Sequence, residues 1–394
     1  MSKVLPVTTS ARYRLLLLAL MASIALLAVF AWQRQAQAAT TLNVTAGFGS
    51  GTVAANAYGP GAPTIVVGDS IKWTVGSDEV HSVTFGSNPG GGPPANWPVA
   101  GFTAPPPGPP GPVSLGPVTY TGTEFLNTGL MSKGSTATVT FNTAGTFNYF
   151  CVIHSGMTGV VNVVASGSAT TQAQADSAAA STSSLLLGQV SALRQSTLNS
   201  AVGVAQPDGT TRWDIWANGV NPPAAMPGGG TGYLELLEFI PPNLAIKAGD
   251  TVHWRATAPH TVTFLAPGQD VDALEAQYGG PTGVPAAKPS SSYDGKSFYN
   301  SGPLTLGPTA PKDFSLTFPT QGTFQYLCLF HEESGQIGYI TVGASATRLP
   351  STGGAPIQTG SGGSSVPWLV LLAGAGALAI AMGAGGLAFC KVKR

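Results

Sequence analysis

The 394-residue chain is poor in charge. Only 9% of its residues are Asp, Glu, Lys or Arg, and 17 basic side chains offset 17 acidic ones, leaving zero net charge at pH 7. No basic run lies between the two ends, so neither nucleic-acid binding nor steering by a large single-sign field is indicated. Cysteine is also scarce, with three in the whole chain, too few for a disulfide-stapled framework. There are five histidines, no His-x-His pair, and no His-rich or Met-rich tract. What is plentiful is Gly (52), Pro (32) and short runs of Val and Thr. That composition favours an all-β sandwich over a helix bundle.

Both ends read as processing or anchoring segments. Lys3, Arg12 and Arg14 precede an apolar stretch from Leu15 to Trp32, and Ala36-Gln37-Ala38 supplies small residues for cleavage, so residues 1–38 are expected to be a signal peptide. An uncleaved signal anchor is the competing reading, because the apolar run approaches the length of a membrane span. At the other end Leu349-Pro350-Ser351-Thr352-Gly353 resembles the signal cut by sortases. It sits in a Gly/Ser-rich spacer (345–365), followed by an apolar segment (366–390) and a basic tail (391–394) with Lys391, Lys393 and Arg394. Cleavage would join Thr352 to the cell wall; without it, 366–390 is a transmembrane helix. Either way the domains between are extracytoplasmic and anchored to the cell membrane or cell wall.

Two short loops carry the chemistry. Tyr149-Phe150-Cys151-Val152-Ile153-His154-Ser155-Gly156-Met157 and Tyr326-Leu327-Cys328-Leu329-Phe330-His331, continuing to Gln336, each place a thiolate, an imidazole and a soft or amide donor close together. A second imidazole stands upstream of each, His81 in Val80-His81-Ser82-Val83-Thr84-Phe85 and His260 in Pro259-His260-Thr261-Val262-Thr263-Phe264. Two His nitrogens and one thiolate, with a weak axial Met or Gln, hold copper in a geometry that suits Cu(I) and Cu(II) alike, so little rearranges when an electron moves. Such a set leaves no position for substrate.

Both halves resemble cupredoxins, the family of plastocyanin, amicyanin, halocyanin and auracyanin. The first has the short Cys-x-x-His-x-x-Met loop of amicyanin; the second has a plastocyanin-length loop carrying the axial Gln known from stellacyanin. The resemblance covers roughly residues 40–165 and 205–344. It implies two type 1 copper sites: His81, Cys151, His154 and Met157 in the first half, and His260, Cys328, His331 and Gln336 in the second. It also implies that His154 and His331 reach the surface within an apolar patch, as exit routes for electrons.

The repeat extends beyond the ligands. Val67-Gly68-Asp69-Ser70-Ile71-Lys72-Trp73 matches Ala248-Gly249-Asp250-Thr251-Val252-His253-Trp254, and Ala144-Gly145-Thr146-Phe147-Asn148-Tyr149 matches Gln321-Gly322-Thr323-Phe324-Gln325-Tyr326. Internal duplication accounts for both. The expected architecture is two tandem Greek-key β-sandwich domains, at 39–165 and 205–344, joined by a linker at 166–204. Leu186, Val190 and Leu193 stand at helical spacing in that linker, predicting a polar tether that enters a short amphipathic helix. Residues 88–117 form a Pro/Gly-rich surface insertion without assignable secondary structure.

A Cys151–Cys328 disulfide is the bland alternative for an exported chain. Cys390 reads as a tail residue, and His253, aligned with Lys72, as a solvated strand position. Glu332 and Glu333 tempt a carboxylate-ligand reading, but adjacent carboxylates on a turn are more often solvated. Multicopper oxidases and copper nitrite reductases share this fold, yet their further centres need several additional histidines. One spare imidazole cannot supply them, so the expectation is a non-enzymatic electron carrier, taking electrons from one redox protein and giving them to another at the cell surface. Sequestration or delivery of copper is the alternative. An axial amide donates more strongly to Cu(II) than a thioether, which sets the second centre at lower potential and electron flow from second to first.

Overall fold

The computed structural model describes residues 39–87, 99–103, 111–306 and 309–343, together with residue 21. Residues Met1–Thr352 form one compact unit and Gly353–Arg394 another, the latter wholly outside the described residues. The expected signal segment (apart from residue 21), the motif at 349–353, the apolar segment 366–390, the basic tail and Cys390 also fall outside them. Among the described residues no helix is long and apolar enough to cross a membrane.

The fold is mostly β. In the first half the strands are β1 (Thr41–Phe48), β2 (Val53–Gly59), β3 (Thr64–Val66), β4 (Ser70–Val75), β5 (Thr84–Phe85), β6 (Ser114–Tyr120), β7 (Leu126–Asn127), β8 (Thr136–Phe141), β9 (Gly145–Phe150) and β10 (Thr158–Val164). In the second they are β11 (Val202–Ala205), β12 (Thr211–Trp216), β13 (Gly219–Val220), β14 (Ala224–Ala225), β15 (Thr231–Leu236), β16 (Asn243–Ile246), β17 (Thr251–Arg255), β18 (Thr263–Phe264), β19 (Tyr299–Asn300), β20 (Asp313–Thr317), β21 (Gly322–Leu327) and β22 (Ile337–Val342). β6 begins inside the expected insertion, most of the rest of which is not described.

The pairings of the first half recur in the second. β1 runs parallel to β4 and β3 to β10, with β4–β8, β9–β10 and β5–β9 antiparallel. Likewise β12 is parallel to β17 and β16 to β22, with β17–β20, β21–β22 and β18–β21 antiparallel. The Gly-Asp turns start both copies: Gly68 and Gly249 have φ of +97° and +93°. Asp69 then accepts from the Thr40 and Val66 amides, and Asp250 from those of Thr211 and Lys247. Strand alternation then buries Ile71, Trp73 and Val75 in one half and Val252 and Trp254 in the other. Such burial stabilises by about 1.5–3 kcal/mol per large apolar side chain. The cores match ring for ring, Trp73 lying 5.3 Å from Tyr149 at 71° and Trp254 5.3 Å from Tyr326 at 72°.

The halves meet through β2 and β15, which pair antiparallel with Ala54 opposite Glu235 and Asn56 opposite Tyr233. Segment 166–204 covers this seam with two helices, α1 (Gln172–Leu187) and α2 (Val190–Ser200). Thr171 and Gln174 cap α1 reciprocally, and the chain turns at Gly188 between Leu186 and Val190. Leu186 and Leu193 are buried against Ala55, Ala57, Leu234, Leu236 and Ile240, side chains drawn from both halves. Arg194 on α2 grips Glu238 through two nitrogens at 2.8 and 2.6 Å. Instead of a polar tether with one short helix, the segment is a packed cover. A third helix, α3 (Val271–Tyr278), capped by Asp270 and ended by Gly279 at φ +74°, was not anticipated.

Candidate metal centres

Each loop follows directly from a strand. Cys151 directly follows β9, the chain turns through His154 and Gly156, and Met157 leads into β10. The backbone fixes that turn, because Cys151 N donates to Met157 O at 3.1 Å and Met157 N to His154 O at 2.9 Å. The second loop closes in the same way despite its extra length. Cys328 N donates to Gln336 O at 3.2 Å and Gln336 N to His331 O at 3.0 Å. Met157 and Gln336 therefore hold equivalent places, both buried.

The upstream histidines arrive from the strand edge. His81 bridges to Met131 and His260 to Leu304, just before β5 and β18. In the first half the Nδ1 atoms of His81 and His154 stand 3.1 Å apart, and Cys151 Sγ is 3.3 Å from His154 Nδ1. In the second, the Nδ1 atoms of His260 and His331 are 3.1 Å apart, with Cys328 Sγ at 3.7 and 3.5 Å from them. Gln336 Oε1 joins this group at 2.9 Å from His260 Nδ1 and 3.0 Å from His331 Nδ1. The amide is oriented by its own nitrogen, which donates to the Ala217 carbonyl.

These donor sets fit a metal ion. In each group the His and Cys ligand atoms lie within 4.8 Å of one another, and all of these side chains are buried. Imidazole nitrogens and a sulfur crowded lone pair to lone pair cannot all be satisfied by one another's protons, whereas a soft cation satisfies them together. Burial works against a thiolate, but His154 and His81 outweigh it and hold the Cys151 thiol well below its ordinary range. His331 and His260 do the same for Cys328, down to about 5. The sulfurs also accept backbone amides, Ser82 N at 3.4 Å and Thr261 N at 3.3 Å. Both cysteines are free, so the disulfide alternative is not realised.

The loop histidines are buried and line a partly open cavity. His154 is 6% exposed and His331 8%, and they face a cavity of about 300 Å³ between the halves, walled by Val80, Ile153, Pro259 and Phe330. Apolar residues of both halves line this cavity together, Leu130 among them with 46% of its surface exposed. Glu332 and Glu333 belong to neither donor group, and His253 Nδ1 lies 2.8 Å from Ser315 Oγ.

Two buried carboxylates escaped sequence reasoning. Glu79 lies with its two oxygens toward His154 Nε2 at 3.7 Å and His331 Nε2 at 3.2 Å. Burial opposes its charge, but the His331 and His154 imidazoles hold its carboxyl at about 2. Glu235 accepts from His260 Nε2 at 3.1 Å and is held by Asn218 at 3.0 Å and Asn56 at 3.3 Å. The signal for Glu235 was available: a lone acid inside the apolar run Tyr233-Leu234-Glu235-Leu236-Leu237.

A profile of the family described as copper binding proteins, plastocyanin/azurin family, matches residues 50–164. Plastocyanin B'/B'' of Nicotiana tabacum is 31% identical over 108 residues, a match that covers 27% of this chain and 88% of that protein. The chloroplastic plastocyanin of Solanum lycopersicum is also 31% identical over 108 residues, covering 27% of this chain and 51%, about half, of that protein. Among solved structures the chain is similar to a purple cupredoxin from Nitrosopumilus maritimus at 26% identity and TM-score 0.17, covering 27% of this chain and 82% of that one. An oxidized amicyanin variant shares 20% identity with TM-score 0.20, covering 34% of this chain and 88% of that one.

Proposed function

The chain belongs to the plastocyanin/azurin family of copper-binding proteins, and from that membership we propose that it is a surface-anchored, non-enzymatic electron carrier built of two tandem Greek-key cupredoxin domains with a type 1 copper centre in each. The observation that carries this reading is the second donor group: Cys328 Sγ, two Nδ1 atoms and Gln336 Oε1 converge in one buried spot, and the first half repeats the Cys and His geometry. Copper bound there would supply a one-electron couple in a site of low reorganisation. The chain's own part is to hold the ligands still. Cys151 and Cys328 are fixed by the strand ends and by amide donation, and the imidazoles by their outer nitrogens. All six His and Cys ligands are buried, which limits the access of water to them.

In this reading His81, Cys151, His154 and Met157 serve one centre and His260, Cys328, His331 and Gln336 the other. Redox proteins outside the membrane would supply and remove electrons. The test is the visible spectrum of the copper-loaded chain beside Cys151→Ser and Cys328→Ser. Each substitution is expected to remove its own share of an intense thiolate-to-copper band. A band untouched by Cys328→Ser would end the two-centre reading, and rapid surrender of copper to a chelator would favour delivery instead.

A further inference from the structure

The seam between the halves holds a group that the ligand assignment does not use. Glu79 is 7% exposed, and among the described residues its ion-pair partners are two imidazoles, His154 through Oε1 at 3.7 Å and His331 through Oε2 at 3.2 Å. The nitrogens it faces are the Nε2 atoms, whose rings turn Nδ1 toward the two thiolates. A carboxylate removed from water without a partner is costly, so a buried Glu in a chain this poor in charge calls for compensating donors. The two imidazoles face it as ion-pair partners, His331 Nε2 at 3.2 Å and His154 Nε2 at 3.7 Å.

We propose that Glu79 is a positioning residue common to both centres, one carboxylate fixing His154 and His331 through their Nε2–H groups and joining the two sites into a coupled pair. The inference rests on the ligand roles proposed above for the Nδ1 atoms. An outer carboxylate sets the tautomer and orientation of a ligating imidazole and raises its basicity. Here a single carboxylate offers one oxygen to each of two imidazoles from different halves.

The repeat is broken where this device sits. Seven residues separate Trp73 from His81 but only five separate Trp254 from His260, and Glu79 falls in the longer copy. A carboxylate from each half lines the cavity, Glu79 and Glu235, but Glu235 pairs with His260 alone whereas Glu79 faces both loop imidazoles. His154, Glu79 and His331 are each less than one-tenth exposed, so the group that links the two centres is buried in the seam.

The test uses the full chain, with Cys151→Ser and Cys328→Ser isolating each centre in turn. Copper affinity is measured by chelator competition in Glu79→Ala and in Glu79→Gln, and the nitrogen resonances of His154 and His331 are followed in the metal-free protein. Glu79→Ala is expected to weaken copper binding at both centres by roughly 10- to 100-fold and to move both Nε2 resonances. Glu79→Gln, which keeps one acceptor oxygen, should spare no more than one centre. Glu235→Gln serves as the control, expected to weaken only the second centre. Effects of Glu79→Ala confined to one centre, or absent from both, overturn the proposal. If Glu79→Ala unfolds the chain, the near-isosteric Glu79→Gln carries the test through the two Nε2 resonances: loss of the charge is expected to move both, and movement of one or neither overturns the proposal. A parent protein without the thiolate band, whose two resonances still move in Glu79→Ala, would remove the type 1 reading and keep the shared carboxylate. A parent with the band but with unmoved resonances would do the reverse.

Discussion

In the first half the outer nitrogen of His81 rests 2.9 Å from a neutral hydroxyl, Ser77 Oγ, whereas in the second the outer nitrogen of His260 rests 3.1 Å from the buried carboxylate of Glu235. The neighbouring strand makes the same distinction. The register that pairs Thr41 with Ser70 and Arg212 with Thr251 sets Gly47 against Asn218. Gly47 leaves room for the Ser77–His81 contact, while Asn218 buttresses Glu235 and also accepts from Thr257. The consequences diverge: burial holds the His81 imidazole below its ordinary pKa, but at His260 the opposing pull of Cys328 and Glu235 exceeds burial and raises it. With Met157 in one loop and Gln336 in the other, the upstream histidine has a neutral hydroxyl for its outer partner in the first half and a carboxylate in the second. In the proposed reading both differences would make the second imidazole and axial group better donors to Cu(II), and the second centre would have the lower potential.

The sharpest way to separate the centres is Gly47→Ala. Gly47 has φ +76°, and an added Cβ would collide with His81 Nε2 and Ser77 Oγ. The left-handed backbone alone costs about 1–2 kcal/mol, and the collision displaces a ligand. The expected result is loss of the first centre's charge-transfer band and a lowered Tm, with the band that Cys328→Ser removes left intact. Next in size is Gln336→Met, which gives the second centre the axial residue of the first. It leaves the Ala217 carbonyl without its donor, at a cost of about 1–3 kcal/mol if that carbonyl stays dry. The potential of the second centre should rise toward that of the first; a potential unchanged in a redox titration would show that Gln336 is not the axial ligand. Smaller again is Glu235→Gln, which keeps an acceptor beside His260 but removes the charge. Copper affinity at the second centre should fall by about 10-fold, at the lower end of outer-partner effects, while the first centre is unmoved.

What could be read from the sequence, and what could not, follows the range of the interactions involved. Cys151, His154 and Met157 lie within one turn, and the Gly-Asp and Gly-Thr-Phe segments recur in order, so the donor groups and the mostly β fold were legible. The pairing of β2 with β15 was not, because Ala54 and Glu235 become neighbours only when two halves are folded and docked. For the same reason His154 and His331 were expected at the surface, as they would be in an isolated domain. The linker's polarity concealed its role: small residues such as Ala175 and Ala179 let α1 approach β2 closely, and the apolar stripe broke at Gly188 between its two helices. Glu79 carried only its charge and its place two residues before His81, neither of which announced that it would face both sites.

The smallest contrast lies far from the sulfur atoms, in the turns before β7 and β19. Glu124 accepts from Thr121 N at 2.7 Å, Thr121 Oγ1 at 2.7 Å and Thr123 N at 3.0 Å. Asp294 accepts from Ser297 N at 2.7 Å and Lys296 N at 3.0 Å. Different acids thus close corresponding turns. Slight burial works against Glu124, but the Thr121 and Thr123 donors bring it to about 2, and the Ser297 hydroxyl and amide lead in bringing Asp294 to about 2. Their ordinary values are 4.5 and 3.8, so the folded carboxyls are depressed. Stability from either turn is therefore complete above those ordinary values and is lost as pH falls through about 2. Both groups are largely exposed, and solvent screening keeps each contribution small. Acid titration of thermal unfolding should show Glu124→Gln and Asp294→Asn each flattening the fall in Tm between about pH 4 and pH 2 by similar amounts. A marked inequality between them would mean that the two halves do not unfold as one cooperative unit, despite the strand pairing and helices that join them.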